Sequence, residues 1–240
     1  MNKFIKLIPI GFRESIRTLL FGKNHHQDLT RFLQAAGAKV MFDIGAEGGY
    51  ETILAAKAGM EVFAFEPDPA TLKKLEANIR AESIAHAVTI VPKAVSDFDG
   101  QSEFYFGTQN TLVPTENCES TIVDVTSLTT FIHETQKAPD YVKVDAEGAN
   151  LGVIKGFPFS EMKPLVFSIE YEAHETDVDR ILRENGYDFI YALYRPVNKN
   201  HRAIFWKYSD TPDFVNGVWG DIVAVQQKHL DQFRKVAGLA

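Results

Sequence analysis

From Lys39 onward, short apolar runs alternate with segments whose apolar residues recur at helical spacing, the pattern of a parallel sheet joined by crossover helices. Residues 40–44, Val-Met-Phe-Asp-Ile, read as a buried first strand. It runs into Gly45-Ala46-Glu47-Gly48-Gly49 and a helix over 50–58 that Gly59 stops. Residues 61–65 are the second strand, and Glu66-Pro67-Asp68-Pro69 leads into a helix with Leu72, Leu75 and Ile79 on one face. Residues 88–91 are the third. After Asp97 the pattern changes: 102–106 and 121–125 predict two short strands of an inserted hairpin near the substrate side, then a short helix from Ser127. Residues 141–144 and 165–169 are the fourth and fifth buried strands, and both end in acid, at Asp145 and Glu170. Thr176-Asp177-Val178-Asp179 resembles a capping box with Asp in place of Glu, before a helix closed by Gly186. Residues 187–194 and 221–225 supply the last two strands, and the late aromatic residues, Phe205 and Trp206 among them, are assigned to core packing. The expected fold is therefore α/β: a doubly wound, mostly parallel, seven-stranded Rossmann-like sheet over 39–240, with an inserted hairpin and an N-terminal helical cap over 1–38.

Residues 1–22 mix Phe4, Ile5, Leu7, Ile8, Ile16, Leu19, Leu20 and Phe21 with Lys3, Lys6, Arg13 and Arg17. A packing helix over the sheet is the preferred reading, and peripheral contact with an anionic membrane is the competing one. Lys6 and Arg13 interrupt the apolar run too soon for a secretory signal, and no stretch is long and apolar enough to span a bilayer. A chain of 240 residues with 45% hydrophobic content suits one well-cored domain. The formal net charge of -7 argues against a basic groove for nucleic acid. Cys118 is the sole cysteine, which excludes an internal disulfide or thiolate cluster and fits a reducing cytoplasm. Oligomeric state is not legible.

The chemistry begins where the first strand ends. Asp43, Gly45 and Gly49 have the spacing D-x-G-x-x-x-G, and small residues there let backbone approach a ligand at the switch point of a doubly wound sheet. Glu66, at the next strand end, falls roughly 20 residues past the loop, where a ribose-binding carboxylate belongs. A dinucleotide site wants G-x-G-x-x-G, but Glu47 stands at the second glycine, where a carboxylate repels pyrophosphate. S-adenosylmethionine carries no phosphate, and its ammonium and sulfonium suit an acidic cradle of Asp43, Glu47 and Asp145.

These residues resemble the FkbM-type methyltransferases, within the class I S-adenosylmethionine-dependent enzymes. The resemblance covers roughly residues 40–171 and rests on Phe42-Asp43-Ile44-Gly45-Ala46-Glu47-Gly48-Gly49-Tyr50, Phe65-Glu66-Pro67, Ala94-Val95-Ser96-Asp97 and, above all, Asp140-Tyr141-Val142-Lys143-Val144-Asp145-Ala146-Glu147-Gly148. It implies that Asp43, Gly45, Ala46 and Gly49 hold the methionine end of the donor. It further implies that Glu66 holds the ribose, that the 94–97 turn with Ala94, Ser96 and Asp97 meets the adenine edge, and that Asp145 lies beside the methyl donor. Two positions differ: the family usually has Asn at Glu47 and Glu at Asn150, and the second difference removes a carboxylate near the expected active site.

Attack by an alcohol oxygen on a sulfonium methyl needs alignment and a base within hydrogen-bond reach. The candidates are Asp145, Glu147 and His174, with His174 favoured by intrinsic pKa. Lys143, alternating with Val142 and Val144, is read as facing outward. Asp145, Glu147 and Glu170 could gather magnesium or calcium, but no metal is predicted. His25-His26 is read as part of a polar linker. The expected acceptor is a hydroxyl of a small molecule, sugar or glycan. A nicotinamide-dependent oxidoreductase and a non-catalytic S-adenosylmethionine-binding protein are the competing readings.

Overall fold

The computed structural model describes residues 25–107, 110–114, 116, 118–171, 176–196, 204–211 and 219–239. Along them run strands β1 (Val40–Ile44), β2 (Glu61–Phe65), β3 (Val88–Val91), β4 (Ala94–Ser96), β5 (Gly100–Phe106), β6 (Glu119–Ser127), β7 (Tyr141–Val144), β8 (Val166–Tyr171), β9 (Tyr187–Pro196), β10 (Ile204–Ser209) and β11 (Trp219–Gln226). The main sheet has the order β3-β2-β1-β7-β8-β11-β9-β10. Its first five members are parallel, whereas β11 runs antiparallel to both β8 and β9. The sheet thus has eight strands rather than seven. β10 pairs antiparallel with β9 and covers the edge that ten-residue β9 would otherwise leave open.

Both faces of this sheet are covered, as crossover connections require. Phe42, Ile44, Val142, Val144, Phe167 and Ile169 point into one core, packed by Leu128, Phe131 and Ile132 of the helix Leu128–Thr135 and by Val153 and Ile154 of the helix Asn150–Lys155. Met41, Val62, Ala64, Tyr141, Val166 and Val223 point into the other. That second core also takes Leu29, Phe32 and Leu33 from the helix His25–Ala35, and Phe32 meets Phe233 edge to face at 5.4 Å. The histidine pair therefore opens a packed helix and is not part of a linker; His25 is 0% exposed. The expectations for residues 1–22 lie outside the described residues. No helix among those described is long and apolar enough to cross a membrane.

β1 lies between β2 and β7, so strand order reverses beside it and a crevice opens above its carboxyl end. The inserted hairpin is present as β5 antiparallel to β6, but it gains a third member, because β4 pairs parallel with β6. Ala94, Val95 and Ser96 are accordingly strand residues rather than a turn. Beyond β5 the chain folds back, pairing Tyr105 with Thr111, and Thr111 Oγ1 donates to the Glu147 carbonyl at 2.6 Å. This contact fastens the hairpin over the crevice.

Candidate active site

The turn after β1 is shaped by close backbone approach. The N–H groups of Gly45 and Ala46 both donate to the Phe65 carbonyl, at 3.1 and 3.0 Å, drawing the turn onto β2. Gly45 has φ +73°, and a Cβ there would lie 1.9 Å from the Asp145 carbonyl oxygen. The two strand ends touch only because this residue has no side chain. Glu47 adopts φ +45°, a region Asn enters more easily than Glu, which accounts physically for the family's usual residue. In this posture its N–H donates to Glu66 Oε2 at 3.0 Å. Glu66 Oε1 accepts from the Asp68 N–H at 2.9 Å, so the Glu66 carboxylate is held at both oxygens while remaining 5% exposed. Burial raises its pKa above the ordinary carboxylate value, against those two bonds.

Beneath the turn lies a buried charge cluster. Asp43 and Lys143 are register partners in the parallel pair β1–β7, so their side chains emerge on the same face. Lys143 is 7% exposed; its Nζ donates to the Gly45 carbonyl at 2.9 Å and to Asp145 Oδ2 at 3.2 Å, and lies 3.6 Å from Asp43 Oδ1. It therefore points inward, not outward. Burial works against its charge, but Asp145, Asp43 and Glu51 outweigh it and hold the ammonium protonated. Asp43 is 0% exposed and accepts from Thr52 Oγ1 at 2.5 Å. It braces the turn from below rather than lining the crevice.

Asp145 sits above Lys143. Burial pushes its carboxyl up, yet the Lys143 charge and hydrogen bonds from Glu170 and Lys143 reverse the effect, so it stays ionised below its ordinary pKa. Glu170 takes the opposite state. Its hydrogen bond to Asp145, its burial, and the charges of Asp145, Asp221 and Glu147 push it up to about 10. At neutral pH one carboxylate of this pair is charged and the other protonated, as close acids require. Asn150, where the family usually has Glu, is a strut: its Oδ1 accepts from the Ala146 N–H at 3.0 Å and its Nδ2 donates to the Glu170 carbonyl at 3.0 Å.

A test follows from Glu170. Its pKa in the fold exceeds the ordinary 4.5, so the folded chain holds a proton that the unfolded chain has released. Its contribution to stability is complete below that ordinary value and is lost as pH rises toward about 10. In EDTA-containing buffer, Glu170→Gln, which keeps a donor for Asp145, should match wild type near pH 4.5 and be progressively more stable than wild type as pH rises to 8. Urea unfolding across this range checks it; parallel curves for the two proteins would refute a protonated Glu170.

These elements enclose a cavity of about 290 Å³. Its wall takes Gly45, Glu47, Glu66, Ala94, Asp145 and Glu147 from the sequence-derived set, together with Phe65, Pro67, Thr71, Lys93 and Val95. Phe104, Gly107, Asn110 and Leu112 of the hairpin complete it. Asp43, Ala46 and Gly49 lie under the turn, where Gly49 (φ +82°) precedes the helix Tyr50–Lys57 and a Cβ on it would meet Leu75 at 2.6 Å. Ser96 is turned to Gly152 of the neighbouring helix and Asp97 is exposed, so neither is on the wall. His174 lies outside the described residues. Sequence patterning placed the hairpin near the substrate side but not the residues it contributes: Phe104 and Leu112 carry no motif, and the β5–β6 pairing and the Tyr105–Thr111 bridge bring them to the wall.

Among solved structures, precorrin-6Y C5,15-methyltransferase from Geobacter metallireducens is 16% identical over 83% of this chain and 87% of that one, with a TM-score of 0.48. Methyltransferase FkbM from Methylobacillus flagellatus is 21% identical over 78% of this chain, with a TM-score of 0.49, and this chain spans 43% of that longer one. An O-methyltransferase from Bacillus cereus, in complex with SAH, is 15% identical over 84% of this chain and 80% of that one, with a TM-score of 0.47. No curated protein matches the sequence. Residues 43–189, more than half of the chain, match the methyltransferase FkbM domain, from the Asp43 turn through the Asp145 strand end to β9. With the parallel sheet, the glycine turn at its switch point and the acidic strand tips, the chain belongs to the FkbM methyltransferase family.

Proposed function

We propose that this methyltransferase uses S-adenosylmethionine and transfers the methyl group to a hydroxyl of a small molecule, sugar or glycan. The observation that carries this reading is the convergence of the Gly45 turn, Glu66 and Asp145 on one cavity. The donor set suits the ligand: each Glu66 oxygen already accepts one backbone N–H and keeps capacity for a ribose hydroxyl. Glu47, Asp145 and Glu147 supply negative charge for an ammonium and a sulfonium. A pyrophosphate fits poorly, because the Glu47 N–H is committed to Glu66.

When bound, S-adenosylmethionine supplies an electrophilic methyl group on a positively charged sulfur. The protein's task is alignment and proton management. Asp145, kept ionised by Lys143, supplies fixed negative charge beside the positively charged donor and leaves the acceptor's hydroxyl proton to Glu147. Glu147, on the same wall, takes the proton as the oxygen attacks. Phe104 and Leu112 of the hairpin limit water above the reacting groups. The acid-lined wall and the net charge of -7 favour a small or carbohydrate acceptor over nucleic acid, and the single Cys118 suits a reducing cytoplasm.

Calorimetric titration should give S-adenosylhomocysteine a Kd of about 1–100 μM and NAD no heat. The reverse result would replace the transferase by an oxidoreductase. Glu66→Ala should weaken S-adenosylhomocysteine by about 100-fold through loss of two charge-assisted bonds. Label from the methyl donor should enter an extracted pool of hydroxyl compounds with wild type and not with Asp145→Ala. Binding without any transfer by wild type would leave a binding protein that does no catalysis.

A further inference from the structure

Outside the cavity wall, at the start of the helix His25–Ala35, a second constellation involves none of the residues assigned to methyl transfer. His25, His26 and Asp221 each offer one potential metal-ligand atom, and these atoms all lie within 4.8 Å of one another. His25 Nε2 is 3.0 Å from Asp221 Oδ2. Ligand atoms around a tetrahedral zinc ion are about 3.3 Å apart, so the His25–Asp221 separation is already close to what an ion requires. The two imidazoles are tilted at 42° to each other with centroids 3.9 Å apart.

The outer partners indicate which ring nitrogens would bind. Tyr194 Oη is hydrogen-bonded to His25 Nδ1, leaving Nε2 directed at Asp221. Glu51 Oε1 lies 3.4 Å from His26 Nε2, and His26 Nδ1 is buried. A metal-bound histidine characteristically gives its second ring nitrogen to a carboxylate or another oxygen, which fixes ring orientation and raises basicity. Both histidines here have such a partner. His26 and Asp221 side chains are 16% and 14% exposed, which leaves a route for the ion.

We propose that His25 Nε2, His26 Nδ1 and the Asp221 carboxylate bind one zinc ion, with water as the fourth ligand. Two imidazoles and one carboxylate select a borderline dication over magnesium or calcium, which prefer oxygen alone. The ion would tie the N-terminal helix to β11. Asp221 is the register partner of Glu170 across β11–β8, so the staple would also sit next to the acids of the cavity.

The test uses the whole chain, dialysed against EDTA and then titrated with zinc, and with cobalt as a spectroscopic substitute. One equivalent should bind, with cobalt giving the visible absorption of a tetrahedral nitrogen and oxygen site. Zinc at 100-fold over Kd should raise the melting temperature by about 5 °C. His26→Gln and Asp221→Asn should each weaken binding by about 100-fold and abolish the thermal shift, with circular dichroism showing that each is folded. Glu147→Gln, which alters the separate acidic group of Asp145, Glu147 and Glu170, should bind zinc as wild type does. Absence of stoichiometric binding to wild type overturns the proposal, as does unchanged binding in both ligand variants or loss confined to Glu147→Gln. If one ligand variant does not fold, the other and the wild-type stoichiometry still decide.

Discussion

Gly45→Ala is expected to abolish binding of S-adenosylhomocysteine and to destabilise the fold by about 3 kcal/mol. Two costs combine at this position. The φ of +73° is unfavourable for any side chain, and the added methyl would lie 1.9 Å from the Asp145 carbonyl oxygen, which is backbone and cannot rotate away. Relief requires the β1 turn and the β7 end to separate, and both ends line the cavity. A displacement of about 1 Å in such a site costs on the order of 100-fold or more. Gly59→Ala separates the two costs, since Gly59 has φ +90° with nothing within 4 Å of an added Cβ. It should lose about 1 kcal/mol and bind normally. Calorimetry and urea unfolding on both variants read the difference; equal behaviour of the two would show that the close approach is unimportant.

Lys143→Met should destabilise the protein by about 3 kcal/mol at pH 8, because it leaves the buried Asp43 and the half-buried Asp145 without their shared cation. In wild type the lowered pKa of Asp145 contributes stability that is present above its ordinary value of 3.8 and lost as pH falls through the lower folded value. Without the ammonium, burial is no longer offset at Asp145 and raises its carboxyl, so the variant gains relative stability as pH falls and Asp145 protonates. The gap between wild type and variant should therefore narrow from pH 8 to pH 5. Adding Asp145→Asn to Lys143→Met should recover part of the loss. A gap that stays constant with pH would mean that Lys143 acts by packing alone.

The strand order along the chain was legible because parallel strands covered on both faces are short, mostly apolar runs, and β1, β2, β3 and β7 are such runs. Lys143 was misread for a related reason. Alternation with Val142 and Val144 implies two faces, but in a doubly wound sheet neither face meets water, so the second face of β7 is a second interior. A lysine there needs carboxylates, and Asp43 becomes its partner only through the β1–β7 register, which joins residues 100 positions apart. β10 was passed over because its aromatic residues look like core filler, and only the exposed length of β9 shows that an edge strand is needed.

The sequence by itself determined the family, the turn after β1 and the acids at the strand tips, since each is a local pattern whose backbone needs are written in adjacent residues. Tertiary structure decided which of those residues share a wall. It placed Asp43, Ala46 and Gly49 beneath the cavity, turned Ser96 toward a helix, made Asn150 a strut, and brought Phe104 and Leu112 over the crevice. It also gathered His25, His26 and Asp221 from opposite ends of the chain. The physical reason is that covalent spacing constrains only a few neighbouring dihedral angles, whereas charge pairing and cavity lining depend on strand register and on which crossover helix covers each face.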